Sequence, residues 1–277
     1  AASTNGAAVA LADAPAAATA DENGSSELER SPRVVVLRGH SGPVYGCAFS
    51  RDDEFLVSCS QDGTARLWGM KQRSCFVCYR AHASPVWSVT FAPVGSYFAT
   101  CGHDRSLRIW SVDLLQPIRI LLGHASDVRC AAFHPTSALI ASGSDDASVR
   151  VWDVSAARCV RLLCRDGHMG AVGCVAWSPK GNFLSSGGDD ATVILWQLDG
   201  GGSCAALRRL VAHTKPVWAL SWSVCGQQLA SGGADCSVVV WDAGRASSHA
   251  PPAAAAADGE QPFAVSQVID AAADEEG

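Results

Sequence analysis

Nowhere does the chain of 277 residues approach a run of 18 consecutive apolar residues, which leaves no candidate transmembrane helix. Its first twenty residues hold eleven Ala and one Asp but neither Lys nor Arg, so no secretory signal is read there. The expectation is a soluble, intracellular protein without a membrane partner. Lysine is scarce, at Lys71, Lys180 and Lys215 alone. The formal net charge of −6 is unevenly spread: residues 33–242 carry 19 Lys+Arg against 16 Asp+Glu, while the flanks set Arg30 and Arg245 against 11 acids. So thin a positive balance lacks the clustered basic surface that displaces counterions from phosphates, and direct binding of nucleic acid is not expected. A glycine-rich phosphate loop is also missing, because glycines such as Gly95, Gly181 and Gly226 stand at hairpin turns. That disfavours a nucleotide-dependent enzyme, and no cofactor or small-molecule substrate is expected.

What the chain does have is a 48% hydrophobic composition, enough to bury a full core, and twelve cysteines. With no export signal these read as reduced thiols. Residues 1–31 are Ala, Ser, Asp and Glu with almost no large apolar side chain, and read as a disordered tail. Residues 243–277 read as a second disordered acidic tail, interrupted by one candidate strand at 263–269. The folded part is expected at 32–242.

Between the tails the chain repeats itself. His40, His82, His124, His168 and His213 are spaced by 42, 42, 44 and 45 residues. Each is followed 22 residues later by an Asp (Asp62, Asp104, Asp146, Asp190, Asp235) and 28 residues later by a Trp (Trp68, Trp110, Trp152, Trp196, Trp241). Each unit holds an apolar run (VYGCAF, VWSVTF, VRCAAF, VGCVAW, VWALSW), a turn, a run ending in Ser or Thr, and a third run such as TARLW or SVRVW. Short β runs separated by Gly, Pro and Asp, with no helical period, predict an all-β fold. A period of 40–45 residues with Gly-His near its start and Trp-Asp near its end is the WD40 signature, each unit building a four-stranded propeller blade. Fourth strands are predicted before each His, at 34–37, 75–79, 117–121, 159–163 and 207–211. Each belongs to the preceding blade, which would let the ring close by strand exchange.

His, Ser/Thr and Asp recurring together invite a catalytic reading. Ser58, Thr100, Ser142, Ser186 and Ser231 complete five sets of four that look like the WD40 structural tetrad, a hydrogen-bonded chain that satisfies buried polar groups. An enzyme needs one nucleophile aligned with one base, whereas five equal copies suit internal struts. Metal binding is disfavoured too: Cys75 and Cys78 form a CxxC within a predicted strand, where residues three apart point to opposite faces, and no second pair completes the ligands. His103 and His134 stand alone in turns.

Binding by a propeller falls to its loops and strand ends. The residue after the first Val of each unit, near the top face of such proteins, is Tyr45, Trp87, Arg129, Gly173 or Trp218. Aromatics and Arg dominate interfaces, so Tyr45, Trp87, Arg129 and Trp218 are candidate partner contacts, against the plainer reading of packing between blades. A second ring before each Asp carries Gln61, His103, Asp145, Asp189 and Ala234, of which His103 joins the candidates.

The runs GPVYG at 42–46, SPVW at 84–87, GHDRS at 102–106, QP at 116–117 and DVRCAAFHP at 127–135 depart from the general repeat pattern. Over about 34–242 the chain resembles the WD40 region of the TFIID subunit five family of TBP-associated factors. That resemblance implies a non-enzymatic nuclear scaffold acting in RNA polymerase II transcription initiation, with histone-fold TBP-associated factors and other TFIID subunits as partners. It also implies seven blades, preceded by a dimerisation motif and a helical domain that nothing here matches. With five repeats the propeller is expected to be incomplete; the alternatives are a closed five-bladed ring with 34–37 beside 237–241, or a degenerate blade near 263–269. Repeats one, two and four end in Trp-Gly, Trp-Ser and Trp-Gln, and His82 and His213 follow Ala. A WD40 adaptor or substrate receptor of another assembly, such as a ubiquitin ligase, is the rival function, although only Arg129 supplies the basic ring position a degron receptor favours. An RNA-processing propeller would need more Lys.

Overall fold

Runs of β-branched and aromatic residues bounded by Gly, Asp and Ser turns set the local structure throughout. The computed structural model describes residues 34–80, 82–198 and 206–243 and the backbone of 264–270, and the tails read as disordered lie largely outside these residues. No described residue is helical. Strands β1 (Val44–Phe49), β2 (Phe55–Ser60), β3 (Ala65–Gly69) and β4 (Ser74–Tyr79) form the first blade, and β5 (Val86–Phe91), β6 (Tyr97–Gly102), β7 (Ser106–Ser111) and β8 (Arg119–Leu122) the second. The third holds β9 (Val128–Phe133), β10 (Leu139–Ser144), β11 (Val149–Asp153) and β12 (Arg158–Leu163), and the fourth β13 (Val172–Trp177), β14 (Phe183–Gly188), β15 (Thr192–Gln197) and β16 (Ala206–Val211). The fifth joins β17 (Val217–Trp222), β18 (Gln228–Gly233) and β19 (Ser237–Asp242) to β20 (Ala264–Asp270). Every sheet is an antiparallel meander in chain order.

Two expectations are corrected here. Residues 34–37 form no strand, and Val34 and Val36 are largely exposed. The edge of β19 where they were expected is occupied by β20, which runs from Ser237 opposite Asp270 to Asp242 opposite Ala264. Each described blade is therefore built from strands consecutive in the chain, and among the described residues strand exchange does not close a ring. The segment at 264–270 is likewise a single strand of the fifth blade and not an additional blade.

The inner strands pack in series, β1 on β5, β5 on β9, β9 on β13 and β13 on β17. Four apolar clusters fill the four seams. Tyr79 and Leu67 meet Phe98 and Trp110 in the first. Leu107 and Ile109 meet Phe133 and Trp152 in the second. In the third, Val151 and Leu163 meet Trp177 and Trp196, and in the fourth Leu195 and Leu210 meet Leu229 and Trp241. Tyr79 lies between Phe98 and Trp110 at 5.0 and 5.2 Å and donates to the Val112 carbonyl at 3.2 Å. Among the described residues no fifth cluster joins the first blade to the fifth. The consequence shows in matched positions: Val128 and Phe133 are 0% and 7% exposed, whereas Val44 and Phe49 are 53% and 57% exposed because no described blade packs against them. At the other end Ala219, Ser221 and Val238 are exposed. Among the described residues the five blades form an open arc.

The turn after each tetrad Asp places its next residue in the left-handed region. Only the first repeat meets this with glycine, Gly63 at φ 76°, while Arg105, Ala147, Ala191 and Cys236 hold φ of 61–64°. A side chain there costs about 1 kcal/mol. Ala147→Gly is expected to raise the unfolding free energy by about 1 kcal/mol in urea titration. In the same assay Phe133→Ala should lower stability by about 3–5 kcal/mol, and Phe49→Ala by less than about 1 kcal/mol. Equal losses at the two positions would mean that the first blade is covered.

Candidate protein-binding site

Two kinds of recurring polar residue need placing, and the structure separates them. The tetrads lie inside the blades. In the third blade the Trp152 indole N–H donates to Ser142 Oγ at 2.8 Å, and the Ser142 hydroxyl donates to His124 Nε2 at 2.8 Å. The His124 Nδ1–H then donates to Asp146 Oδ2 at 2.9 Å. The same chain runs through Trp68, Ser58, His40 and Asp62; through Trp110, Thr100, His82 and Asp104; through Trp196, Ser186, His168 and Asp190; and through Trp241, Ser231, His213 and Asp235. Each hydroxyl thus bridges an indole and an imidazole, and each imidazole presents Nε2 to its hydroxyl and Nδ1 to its carboxylate.

The carboxylates at the chain ends are also fully engaged. Asp146 accepts from the Ala125 amide at 2.9 Å, the Ser148 amide at 3.0 Å and the Ser148 hydroxyl at 2.6 Å, which fastens the loop holding His124 to the turn before β11. Asp190 does the same with the Met169 amide and Thr192. Burial alone would raise Asp190, but hydrogen bonds from the Met169 amide, His168 and Thr192 outweigh it and bring it down to about 2. Burial lowers His124 and His168, against the pull of Asp146 and Asp190. In Cys59 and Cys174 burial pushes the thiol up to about 12, the behaviour of packed, unreactive cysteines. No cluster of three or more His, Cys, Asp or Glu suited to a metal occurs among the described residues.

The second group faces outward because of an irregularity in the backbone. The β-bulge at the start of each inner strand falls between Val44 and Gly46, Val86 and Ser88, Val172 and Cys174, and Val217 and Ala219; opposite Gly143 and Ser144 it skips from Cys130 to Val128. The extra residue is Tyr45, Trp87, Gly173, Trp218 or Arg129 respectively. A bulge turns one side chain away from the ladder. Here five bulges at one end of the arc deliver Tyr45, Trp87, Arg129, Gly173 and Trp218 to a single cavity of about 370 Å³, with Ala171, Asp145 and Asp189 completing its wall.

Inside it the Tyr45 and Trp87 rings lie 5.0 Å apart, and the Arg129 guanidinium sits 5.6 Å from the Trp87 ring centre. Arg129 Nε and a terminal nitrogen donate to the two oxygens of Asp145 at 2.7 and 3.0 Å. That pair, with Asp127 and Asp189 nearby, raises the already high pKa of the guanidinium. Trp87 Nε1 donates to Asp127 Oδ2 at 3.1 Å, and His103 Nδ1 meets the same oxygen at 2.7 Å. His103 thus stands beside the cavity, joined to it through Asp127, whereas Gln61 and Ala234 are not part of its wall. Tyr45 is 43% and Trp218 67% exposed.

Asp127 was missing from the residues singled out in the sequence. Its signal was a departure from pattern, since the residue before the first Val is Pro43, Pro85, Ala171 or Pro216 in the other repeats.

Repeated blades with saturated internal hydrogen-bond chains and aromatic side chains presented at one end define a WD40 β-propeller fold. The WD domain, G-beta repeat family matches residues 31–69, 73–111, 115–153, 158–197 and 204–242, and the chain belongs to that family. Its relatives include the "SAGA complex/transcription factor TFIID complex subunit Taf5" of Schizosaccharomyces pombe, 47% identical over 55 residues, which is 20% of this chain and 9% of that protein. The "Transcription initiation factor TFIID subunit 5" of Drosophila melanogaster is 49% identical over 55 residues, 20% of this chain and 7% of its own length. The Arabidopsis thaliana protein of the same name is 44% identical over 62 residues, 21% of this chain and 9% of its own length. The matched stretches thus span less than a tenth of each relative.

Acid should unfold the blades through these buried groups. His124 and His168 lie below their ordinary 6.5, and Asp190 lies below its ordinary 3.8. The folded chain therefore binds these protons more weakly than the unfolded chain, and stability falls as pH falls. The histidine contribution is lost as pH drops below 6.5, and the Asp190 contribution between 3.8 and about 2. Urea midpoints measured from pH 7.5 to pH 4 check the sign: they should decline monotonically, and a midpoint that rises below pH 6.5 contradicts the neutral, buried imidazoles.

Proposed function

We propose that this chain is a non-enzymatic protein–protein interaction scaffold, a WD40 subunit of the general transcription factor TFIID and of related coactivator assemblies. On this reading it acts in the nucleus in RNA polymerase II transcription initiation. The observation that carries the assignment is the group of stretches at 44–49% identity to TFIID subunit 5 proteins and Taf5. The SAGA name of the fission-yeast relative supports the extension to coactivators.

The site geometry supports the scaffold reading. The five tetrads tie each hydroxyl between an indole and an imidazole, which leaves none of those hydroxyls a free nucleophile beside a base. Tyr45, Trp87 and Trp218 instead offer rigid aromatic area with polar atoms at its margin, the surface type from which interface anchors are drawn. Histone-fold TBP-associated factors and other TFIID subunits are the partners this reading assigns to Tyr45, Trp87, Arg129, Trp218 and His103.

Affinity purification of the tagged full-length protein from nuclear extract, with mass spectrometry of its companions, tests the assignment. Recovery of TBP with histone-fold TBP-associated factors is the expected result. Cullin-type ligase subunits or RNA-processing factors in their place would overturn it. The double variant Trp87→Ala and Trp218→Ala is expected to retain its unfolding free energy in urea titration within about 1 kcal/mol and to lose at least about tenfold of the recovered partners, the scale of two anchor truncations.

A further inference from the structure

We propose that the cavity at the bulged ends of the inner strands takes a cationic side chain, an arginine or lysine presented by an exposed basic segment of a partner protein, against the Asp189 carboxylate and the exposed rings of Trp218 and Tyr45. The proposal rests on the reading of this end of the arc as the partner surface and names the chemistry the partner brings.

The molecule already contains an example of the recognition. Arg129 lies over the Trp87 ring at 5.6 Å and is held by both oxygens of Asp145, so the site binds a guanidinium by ring face and carboxylate together. Its charge is not balanced by that one guanidinium. Asp127, Asp145 and Asp189 converge on Arg129, each acting on it electrostatically. Asp145 is paired with Arg129, and Asp127 is shared by Trp87 and His103. The Asp189 side chain is exposed, lines the cavity, and accepts no hydrogen bond from any described residue. Trp218, across the cavity wall on the fifth blade, has most of its surface in solvent.

Other occupants fit less well. An acidic segment would face a surplus of carboxylates, and an apolar one would strip water from Asp189 without replacing its hydrogen bonds. A cation satisfies the carboxylate and stacks on the exposed ring.

The test uses the purified full-length chain and fluorescence anisotropy of two labelled peptides, one alternating Gly and Arg, the other alternating Gly and Glu. The Arg peptide is expected to bind at least tenfold more tightly than the Glu peptide. Asp189→Asn should weaken the Arg peptide at least fivefold without shifting the urea midpoint, since the side chain is exposed. Arg129→Ala should strengthen it several-fold, because it frees Asp145 and the Trp87 face for the incoming guanidinium; general damage to the cavity would do the opposite. Failure of the Arg peptide to bind, equal binding of the Glu peptide, or weaker binding to Arg129→Ala overturns the proposal. Binding that is indifferent to Asp189→Asn also overturns it, assigning the attraction to the acidic flanks. The peptides require no assembly subunit, so failure here with TBP-associated factors still recovered removes the cation and leaves the scaffold reading. The reverse pattern removes the assembly and keeps the site.

Discussion

The hydrogen-bonded chain from tryptophan indole through hydroxyl and imidazole to carboxylate is the constraint on which the rest depends. It lets each blade bury a charged group and three polar ones, where a single unpaired member would cost about 1–3 kcal/mol. The same aspartate grips the loop before β1, β9, β13 and β17 through a backbone amide of the residue after the histidine. In the second blade Arg108 approaches that oxygen at 2.8 Å. With loop and turn tied together, the start of each inner strand is held, and a bulge there places its side chain reproducibly.

Repetition made much of this legible in the sequence. The equal offsets among His124, Ser142, Asp146 and Trp152 and their counterparts carried the pairing into each blade, because four residues that recur together at fixed separations must meet within one unit. The ring of Tyr45, Trp87, Arg129 and Trp218 was readable as a set for the same reason. Two things were not. Residues 34–37 have the β-branched composition of a strand, but a strand also needs a partner edge, and which segment wins that edge is decided by pairing across more than 20 residues of chain, information absent from local pattern. The part played by Asp127 was hidden because it depends on two side chains from the adjacent blade, Trp87 and His103, meeting one oxygen.

The proposed placing of the partner surface on the bulges has a physical logic. In the three middle blades the interior of an inner strand is committed on both faces to neighbouring blades, so a side chain there can reach only the core. The residue that the ladder skips is the one position free to differ between repeats without loss of packing. Tetrad positions accordingly repeat in all five units, whereas the skipped position runs from Gly173 through Arg129 to Trp218.

The open arc gives this site an unusual dependence on its supports. Its charged part, Arg129 with Asp127 and Asp145, sits on the third blade, flanked on both sides by blades that are themselves flanked. Its most exposed rings, Tyr45 and Trp218, stand on the first and fifth blades, each packed along one seam only among the described residues. A linear array loses order from its termini inward. A ligand that touches both rings at once therefore acts as a brace across the ends, and its binding energy is drawn partly from blades that, unbraced, are the first to loosen.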